Sequence, residues 1–218
     1  AGMLPIAFGT QTGGSTIRPA SFCGVYAMKP THGVVNSEGA KRYSHTLDTI
    51  GWYGRSPADL HLVARAFRLF GTEAPVAKPV AGLRIGLPTE YFAEGVDAEV
   101  LARVREAVKW FESQGAKAVE ITLPNTGLAV PVYYVLAPAE ASSNLSRFDG
   151  VRYGHRAQDY ADLGEMYRRT RAEGFGTEVK RRILIGTYVL SHGYYDAYYL
   201  KAQKVRRLIA RDFAEAFA

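Results

Sequence analysis

A glycine pair flanked by hydroxyl side chains lies near the start of the chain, in the segment FGTQTGGSTIRPASFCG at residues 8–24. Gly13 and Gly14 allow the backbone to adopt a positive φ or to pass close to a ligand. Successive N–H groups in such a loop can form a concave site for an anion. Ser15 directly follows the pair and could attack a carbonyl group. The N–H groups would then stabilise the negative charge that develops on the carbonyl oxygen.

A purely conformational role for the same segment must be weighed beside the chemical one. Gly-Gly-Ser is a common turn sequence, because glycine and serine favour turns for conformational reasons alone. The segment also differs from the G-x-S-x-G elbow of α/β-hydrolases, since Thr16 and Ile17 follow the serine. Taken by itself, the pattern therefore leaves a structural turn and a catalytic serine open.

The other reactive side chains do not form a second pattern. Cys23 is the single cysteine, which excludes an internal disulfide and is typical of a reducing cytoplasm. We expect it to be a small buried residue, because free cysteines are commonly buried and no histidine is close in sequence. The histidines lack the spacing of a metal site, and they stand at positions 32, 45, 61, 155 and 192. The sequence therefore predicts no metal site.

The composition is typical of a soluble globular protein. Of the 218 residues, 47% are hydrophobic and 22% are charged, which is enough to bury a substantial core. No apolar run predicts a transmembrane helix, and the N-terminal residues lack the basic start of a signal peptide. The chain begins without methionine, inside an apolar stretch, which suggests a piece of a longer protein. We expect a cytoplasmic protein that does not bind membranes.

The net charge of +6 permits an acidic partner such as RNA but does not establish one. The basic residues are interleaved with apolar residues at helical spacing, as on any solvated helix face. No aromatic RNA-binding motif is present. The charge and the motifs therefore permit a nucleic-acid partner without predicting one.

Hydrophobic periodicity predicts an α/β protein. A helix is expected at 57–70, followed by a connecting segment rich in proline and alanine at 74–82. A strand at 83–88, a helix at 97–114 and a strand at 116–124 then form a β-α-β unit. Such a unit predicts a parallel pair of strands with a crossover connection.

The remainder of the chain is expected to be helical. Amphipathic or apolar stretches predict helices within 129–148, 158–176 and 176–191. A long surface helix is expected over 194–217, with an apolar stripe that must be buried against another element. Its tyrosine cluster, GYYDAYYL, is interpreted as a packed face rather than as a stacking platform.

The glycine segment resembles the amidase signature family. The likeness extends over residues 9–60, through GTQTGGS, RPA, CGV, KPTHG and TLDTIG, and the joint match is more specific than any single piece. The resemblance implies that Ser15 is the acyl-enzyme nucleophile. It also implies that the backbone N–H groups of Thr12, Gly13, Gly14 and Ser15 form the oxyanion hole.

The resemblance also implies a fold and a domain organisation. The fold is an α/β amidase-signature core, a mixed sheet flanked by helices, of which this chain is a truncated part. Residues 1–218 would be a single partial domain, with a nucleophile-motif half at 1–75 and a substrate-side half at 76–218. In the family, a second serine with a cis peptide bond and a lysine activate the nucleophile. Both precede the glycine motif, so we expect the isolated chain to be inactive.

The second half resembles one branch of that family, the glutamine-hydrolysing subunits of tRNA-dependent amidotransferases. A tyrosine and an arginine that hold glutamine in this branch map onto Tyr133 and Arg182, and a guanidinium can bind a carboxylate through two hydrogen bonds. The resemblance implies a small third subunit in addition to a tRNA-binding partner subunit. It also implies that the partner uses ATP and Mg²⁺, while this chain binds no cofactor.

Three functions therefore stay open. The first is glutamine hydrolysis that releases ammonia for converting Glu-tRNA(Gln) or Asp-tRNA(Asn) to the amide form. The second is a stand-alone amidase acting on another carboxamide, because the first third of the chain is more similar to general amidases and carries Gln11 where the branch usually carries Asp. The third is an inactive assembly or interaction module that retains the fold.

Overall fold

The fold is described by a computed structural model that covers residues 2–70, 79–93 and 95–218. Most of the connecting segment expected at 74–82 lies outside these residues. The strands are β1 (Ala7–Gln11), β2 (Tyr26–Met28), β3 (Thr49–Gly54), β4 (Arg84–Pro88) and β5 (Lys117–Ile121). The helices are α1 (Ile17–Cys23), α2 (Pro57–Ala66), α3 (Ala98–Ser113), α4 (Ala129–Asn144), α5 (Leu163–Gly174), α6 (Thr177–Val189) and α7 (Lys201–Ala216). None of the helices in the described part of the chain is long and apolar enough to cross a membrane.

The chain divides into two compact units. One consists of Ala1–Ala74 with Tyr133–Tyr199, and the other of Pro75–Val132 with Leu200–Ala218. The expected halves, divided near residue 75, group the chain differently, because the helices after Tyr133 belong with the glycine segment. The hydrogen bonds of Glu140 in α4 illustrate this grouping, since they reach back to Ser44 and Thr46.

The first unit is built on a three-stranded antiparallel sheet with the order β1-β3-β2. β1 pairs with β3 along its whole length, and the last pair places Gln11 opposite Thr49. Beyond this pair, the hydroxyl of Thr12 donates to Asp48 across 2.6 Å. The pairing of β1 with β3 therefore places the start of the glycine loop beside the end of the turn that precedes β3.

Trp52 in β3 is the centre of the hydrophobic core of this unit. The core cluster consists of Val35, Trp52, Val63 and Ala64. The indole N–H of Trp52 donates to the carbonyl oxygen of Leu60 across 3.1 Å, so its polar atom is satisfied inside the core. α2 covers this side of the sheet, which confirms the helix predicted at 57–70, and it begins at the capping hydroxyl of Ser56.

Cys23 is exposed, so the expectation of a buried cysteine is wrong. It is the last residue of α1, and Gly24 ends that helix with a left-handed φ of 61°. α1 is short and buries only Ala20. Its C-terminal end therefore stays at the surface.

The second unit contains a parallel pair of strands, β4 and β5, joined through α3. The predicted β-α-β unit is therefore confirmed. The carboxylate of Asp97 caps the start of α3 by accepting from the backbone N–H groups of Glu99 and Val100. Across the described residues, the mixed α/β character takes the form of one antiparallel sheet and one parallel pair, each flanked by helices.

The helix expected over 194–217 is divided into two parts. Tyr195–Leu200 form a π-helical turn and α7 follows it. A π turn holds more residues than an α turn, so side chains before and after it do not share the face that a uniform period predicts. α7 buries Ala202 and Asp212, whereas Leu208 and Phe213 stay partly exposed. The expected buried apolar stripe is therefore wrong for the described residues.

The other predicted helices are confirmed as α4, α5 and α6. α4 and α6 approach each other closely at Gly186, where a Cβ atom would overlap the carbonyl group of Pro138. Pro138 is buried inside α4, so its backbone has no free space to move into. Only glycine fits at this crossing.

We expect Gly186→Ala to lower the free energy of unfolding by about 1 to 3 kcal/mol, because the added methyl group forces the two helices apart. Gly174→Ala is the matched control, since a Cβ atom there would make only an ordinary contact, 3.5 Å from Cβ of His155. Urea unfolding of both variants measures the difference. Equal stabilities would show that α4 and α6 do not depend on this close approach.

Candidate active site

Gln11 anchors the glycine loop where the loop enters α1. The side-chain oxygen of Gln11 accepts from the backbone N–H groups of Thr16 and Ile17 across 3.0 and 3.1 Å. These N–H groups belong to the start of a helix, where the backbone donors have no partner within the helix. The sequence marked Gln11 only as a departure from the amidotransferase branch, and its bridging role follows from the structure.

Ser15 is exposed in the loop between β1 and α1. Its backbone oxygen lies 3.3 Å from the hydroxyl of Tyr53, which donates to it. The N–H of Arg18 donates to the carbonyl of Gly14 across 2.9 Å, which closes a turn around the serine. The loop therefore presents the Ser15 side chain to solvent while its backbone is held on both sides.

Gly13 is required for a close contact rather than for an unusual backbone angle. Neither Gly13 nor Gly14 has a positive φ. A Cβ atom at Gly13 would lie 3.3 Å from Cε2 of Tyr133 in α4, so the tyrosine ring lies against the loop backbone. Neither glycine therefore needs a positive φ, and the close approach found at Gly13 is to the ring of Tyr133, whereas the expected approach to a ligand stays a prediction.

Arg182 in α6 extends this arrangement. Its Nε donates to Glu178 across 2.9 Å, and its Nη1 lies 3.5 Å from the hydroxyl oxygen of Tyr43. The hydrogen bond with Tyr43, then that with Glu178, raises the pKa of Arg182 above its ordinary value, and the nearby Tyr133 raises it further. The structure thus brings together Tyr133 and Arg182, the two residues predicted to bind substrate.

Tyr43 is a member of this cluster that the sequence did not reveal. Burial raises the pKa of its phenol above the usual value, in opposition to the lowering effect of Arg182. Conversely, the hydrogen bond from Arg182 lowers the pKa of Glu178. Arg182 and Glu178 are therefore charged near neutral pH, while Tyr43 is neutral. The only sequence signal for Tyr43 is an aromatic residue in the otherwise polar segment SEGAKRYSHT.

Two carboxylates hold the turn that carries Tyr43. Oδ2 of Asp48 accepts from the backbone N–H groups of Tyr43 and Ser44 across 2.6 and 3.0 Å. Oε2 of Glu140 accepts from the hydroxyl of Ser44 and the N–H of Thr46 across 2.8 and 3.0 Å, and the hydroxyl of Thr46 donates to Oε1. Both carboxylates lie outside the residues that the sequence assigned to the site.

The arrangement combines an exposed hydroxyl, a loop of backbone donors and a guanidinium near Tyr133, whose ring lies against that loop. This combination suits nucleophilic attack on a carbonyl compound that also carries a carboxylate. Among the described residues, no group of three or more His, Cys, Asp or Glu side chains could hold a metal ion.

Two relatives are similar in sequence over nearly the whole chain. The A subunit of glutamyl-tRNA(Gln) amidotransferase from Nitrosospira multiformis is 55% identical over 228 residues, covering 99% of this chain and 47% of that protein. The protein of the same name from Azoarcus sp. is 56% identical over 234 residues, covering 99% of this chain and 48% of that protein. The chain spans about half the length of the curated relatives it matches.

Solved structures share the fold. The crystal structure of the glutamyl-tRNA(Gln) amidotransferase A subunit from Thermotoga maritima gives a TM-score of 0.69 at 34% identity, covering 99% of this chain and 45% of that chain. A crystal structure of an amidase gives a TM-score of 0.73 at 25% identity, covering 97% of this chain and 42% of that chain. Both resemblances found in the sequence are therefore confirmed.

The family model described as Amidase matches residues 1–218, the whole of the chain. The glycine loop, the fold and the relatives all agree with this match. The chain belongs to the amidase signature family.

Proposed function

We propose that the full-length protein containing this chain is the glutamine-hydrolysing subunit of a glutamyl-tRNA(Gln) or aspartyl-tRNA(Asn) amidotransferase. The observation that carries the proposal is the position of Tyr133, which lies against the backbone at Gly13 and close enough to Arg182 to influence its pKa, so that a loop of backbone donors and a cation share one neighbour. The names of the relatives support the same function. The released ammonia would convert Glu-tRNA(Gln) or Asp-tRNA(Asn) to the amide form on a partner subunit.

In the proposed reaction, the Ser15 oxygen attacks the carbon of the substrate amide. The carbonyl oxygen becomes negative, and the backbone N–H groups of Thr12, Gly13, Gly14 and Ser15 stabilise it. Breaking of the C–N bond, with a proton delivered to nitrogen, releases ammonia and leaves an ester on Ser15. Water then hydrolyses this ester, which regenerates the serine and gives glutamate.

Arg182 and Tyr133 are proposed to bind the glutamine. Because Glu178 already accepts from Nε of Arg182, a substrate carboxylate would bind through the terminal nitrogens of the guanidinium. Glu178 also accepts from Nη1 of Arg181, so it restrains the neighbouring arginine as well. The hydroxyl of Tyr133 supplies a second polar group for orienting the substrate.

The proposed complex follows the amidotransferase branch. It would be completed by a tRNA-binding partner subunit together with a small third subunit, and tRNA would interact with this chain only indirectly. ATP and Mg²⁺ would be used by the partner, with no cofactor bound by this chain. A cytoplasmic location is inferred from the free cysteine and from the absence of a disulfide framework in the sequence.

A stand-alone amidase is the second candidate, supported by the likeness to the solved amidase. An ammonia-release assay on the full-length protein, with and without partner subunits and charged tRNA, separates the two. Turnover that needs neither glutamine nor the partners would favour the stand-alone amidase. No turnover of any amide would favour the third alternative, an inactive assembly or interaction module.

We expect Ser15→Ala in the full-length protein to lower glutamine-dependent ammonia release by at least about 10³-fold, because the nucleophile is lost. The loop is exposed, so the thermal unfolding temperature should stay unchanged. Ser21→Ala is the matched control, since Ser21 is an exposed serine of α1 outside the loop. Retention of turnover by Ser15→Ala would exclude this serine as the nucleophile.

We expect Arg182→Gln to raise the KM for glutamine about 10- to 100-fold, because a charge-assisted hydrogen bond to the carboxylate is lost. Turnover of a neutral amide without a carboxylate should change far less. Arg181→Gln is the control, because Arg181 precedes Arg182 and pairs with the same glutamate while being largely exposed. An equal loss on both substrates would contradict carboxylate binding by Arg182.

A further inference from the structure

Asp48 connects the glycine loop to the turn that carries Tyr43. Its Oδ1 accepts from the hydroxyl of Thr12, the first residue of the loop after β1. Its Oδ2 accepts from the backbone N–H groups of Tyr43 and Ser44. One carboxylate therefore holds two segments that are far apart in sequence, and it does so at the end of the β1-β3 ladder.

The donor set explains why a carboxylate stands at this position. Three hydrogens point at the two oxygens of Asp48, and an ionised carboxylate is the side chain that only accepts. An asparagine would keep the Thr12 connection with the bond reversed, its NH₂ group donating to the hydroxyl while its oxygen accepts from the backbone N–H groups. Replacing Asp48 by alanine removes both connections.

The turn itself is fixed independently of the glycine loop. Glu140 holds Ser44 and Thr46, and Nδ2 of Asn144 donates to the carbonyl of Tyr43 across 3.1 Å. Both residues lie in α4, which also carries Tyr133. Asp48 consequently attaches the glycine loop to a turn that α4 already holds in place.

We propose that Asp48 is a positioning residue for the amide hydrolysis. It sets the place of Thr12 at the start of the oxyanion loop, and through Tyr43 it relates this loop to Arg182. The inference rests on the proposed function and deepens it. Asp48 itself does not touch the reacting atoms. It acts by keeping the backbone donors in place before the substrate binds, which matters because displaced donors stabilise the oxyanion poorly.

The two sides of Asp48 have different kinetic consequences. Loss of the Thr12 connection loosens the oxyanion loop, which acts in the transition state, and so lowers kcat. Loss of the Tyr43 connection loosens a neighbour of Arg182, which binds the substrate, and so raises KM. A residue that only stabilised the fold would lower stability without this division.

The test uses four variants of the full-length protein: Thr12→Val, Thr12→Ser, Asp48→Ala and the double variant Thr12→Val with Asp48→Ala. Thr49→Val is the matched control, because the hydroxyl of Thr49 donates to Leu47 and does not reach the loop. The kcat and KM for glutamine are measured for each. Hydrogen exchange at the backbone amides of Thr16 and Ile17 reports on the loop without requiring activity.

We expect Thr12→Val to lower kcat at least tenfold with a KM within about threefold of the unsubstituted protein. Thr12→Ser keeps the hydroxyl and should be at least fivefold more active than Thr12→Val. Asp48→Ala should both lower kcat and raise KM. The double variant should have the kcat of Asp48→Ala alone, since both substitutions break the same hydrogen bond. Thr49→Val should leave kcat, KM and the exchange rates unchanged.

Several results would overturn the inference. In an active protein, it fails if Thr12→Val keeps the normal kcat, or if the effects on kcat multiply in the double variant. A protein that releases no ammonia contradicts the proposed function instead. Hydrogen exchange then decides the matter alone: faster exchange at Thr16 and Ile17 in Thr12→Val and Asp48→Ala supports loop positioning by Asp48, and unchanged exchange overturns it.

Discussion

Carboxylates that satisfy the backbone of one turn organise the whole candidate site. The turn from Tyr43 to Asp48 contributes N–H and hydroxyl groups that would be costly to leave unpaired away from water. Asp48 accepts from one side of this turn and Glu140 from the other. Because Glu140 lies in α4, the same bonds that satisfy the turn also bring Tyr133 toward the glycine loop. The same hydrogen bonds therefore satisfy the polar groups of the turn and hold the parts of the candidate site together.

The sequence predicted the parts of the molecule that depend on local chemistry. The β-α-β unit follows from hydrophobic periodicity, and the glycine loop follows from its ordered motif. Residues such as Tyr43 and Glu140 could not be found in this way. Their roles depend on partners more than ninety residues away in the chain, and such a pairing leaves no periodic pattern in a single sequence.

Two local expectations were wrong for reasons that can be stated physically. Cys23 is small and follows an aromatic residue, but it ends a short helix whose chain turns away at Gly24, so it stays exposed. The apolar stripe of the last helix was derived from one uniform period. The π turn at Tyr195–Leu200 interrupts that period, and α7 buries Asp212 while Leu208 and Phe213, two residues of the expected stripe, stay partly exposed.

The glycine crossing between α4 and α6 fixes a distance within the scaffold. Tyr133 lies one to two turns before Pro138 in α4, and Arg182 lies one turn before Gly186 in α6. Backbone packed directly on backbone leaves no side chain at the crossing that could be exchanged to widen or narrow the gap. The separation of Tyr133 and Arg182 is therefore a fixed length of the scaffold. Under the proposed function, a change in the length of the amide that is accepted would have to come from other segments, such as the turn that carries Tyr43.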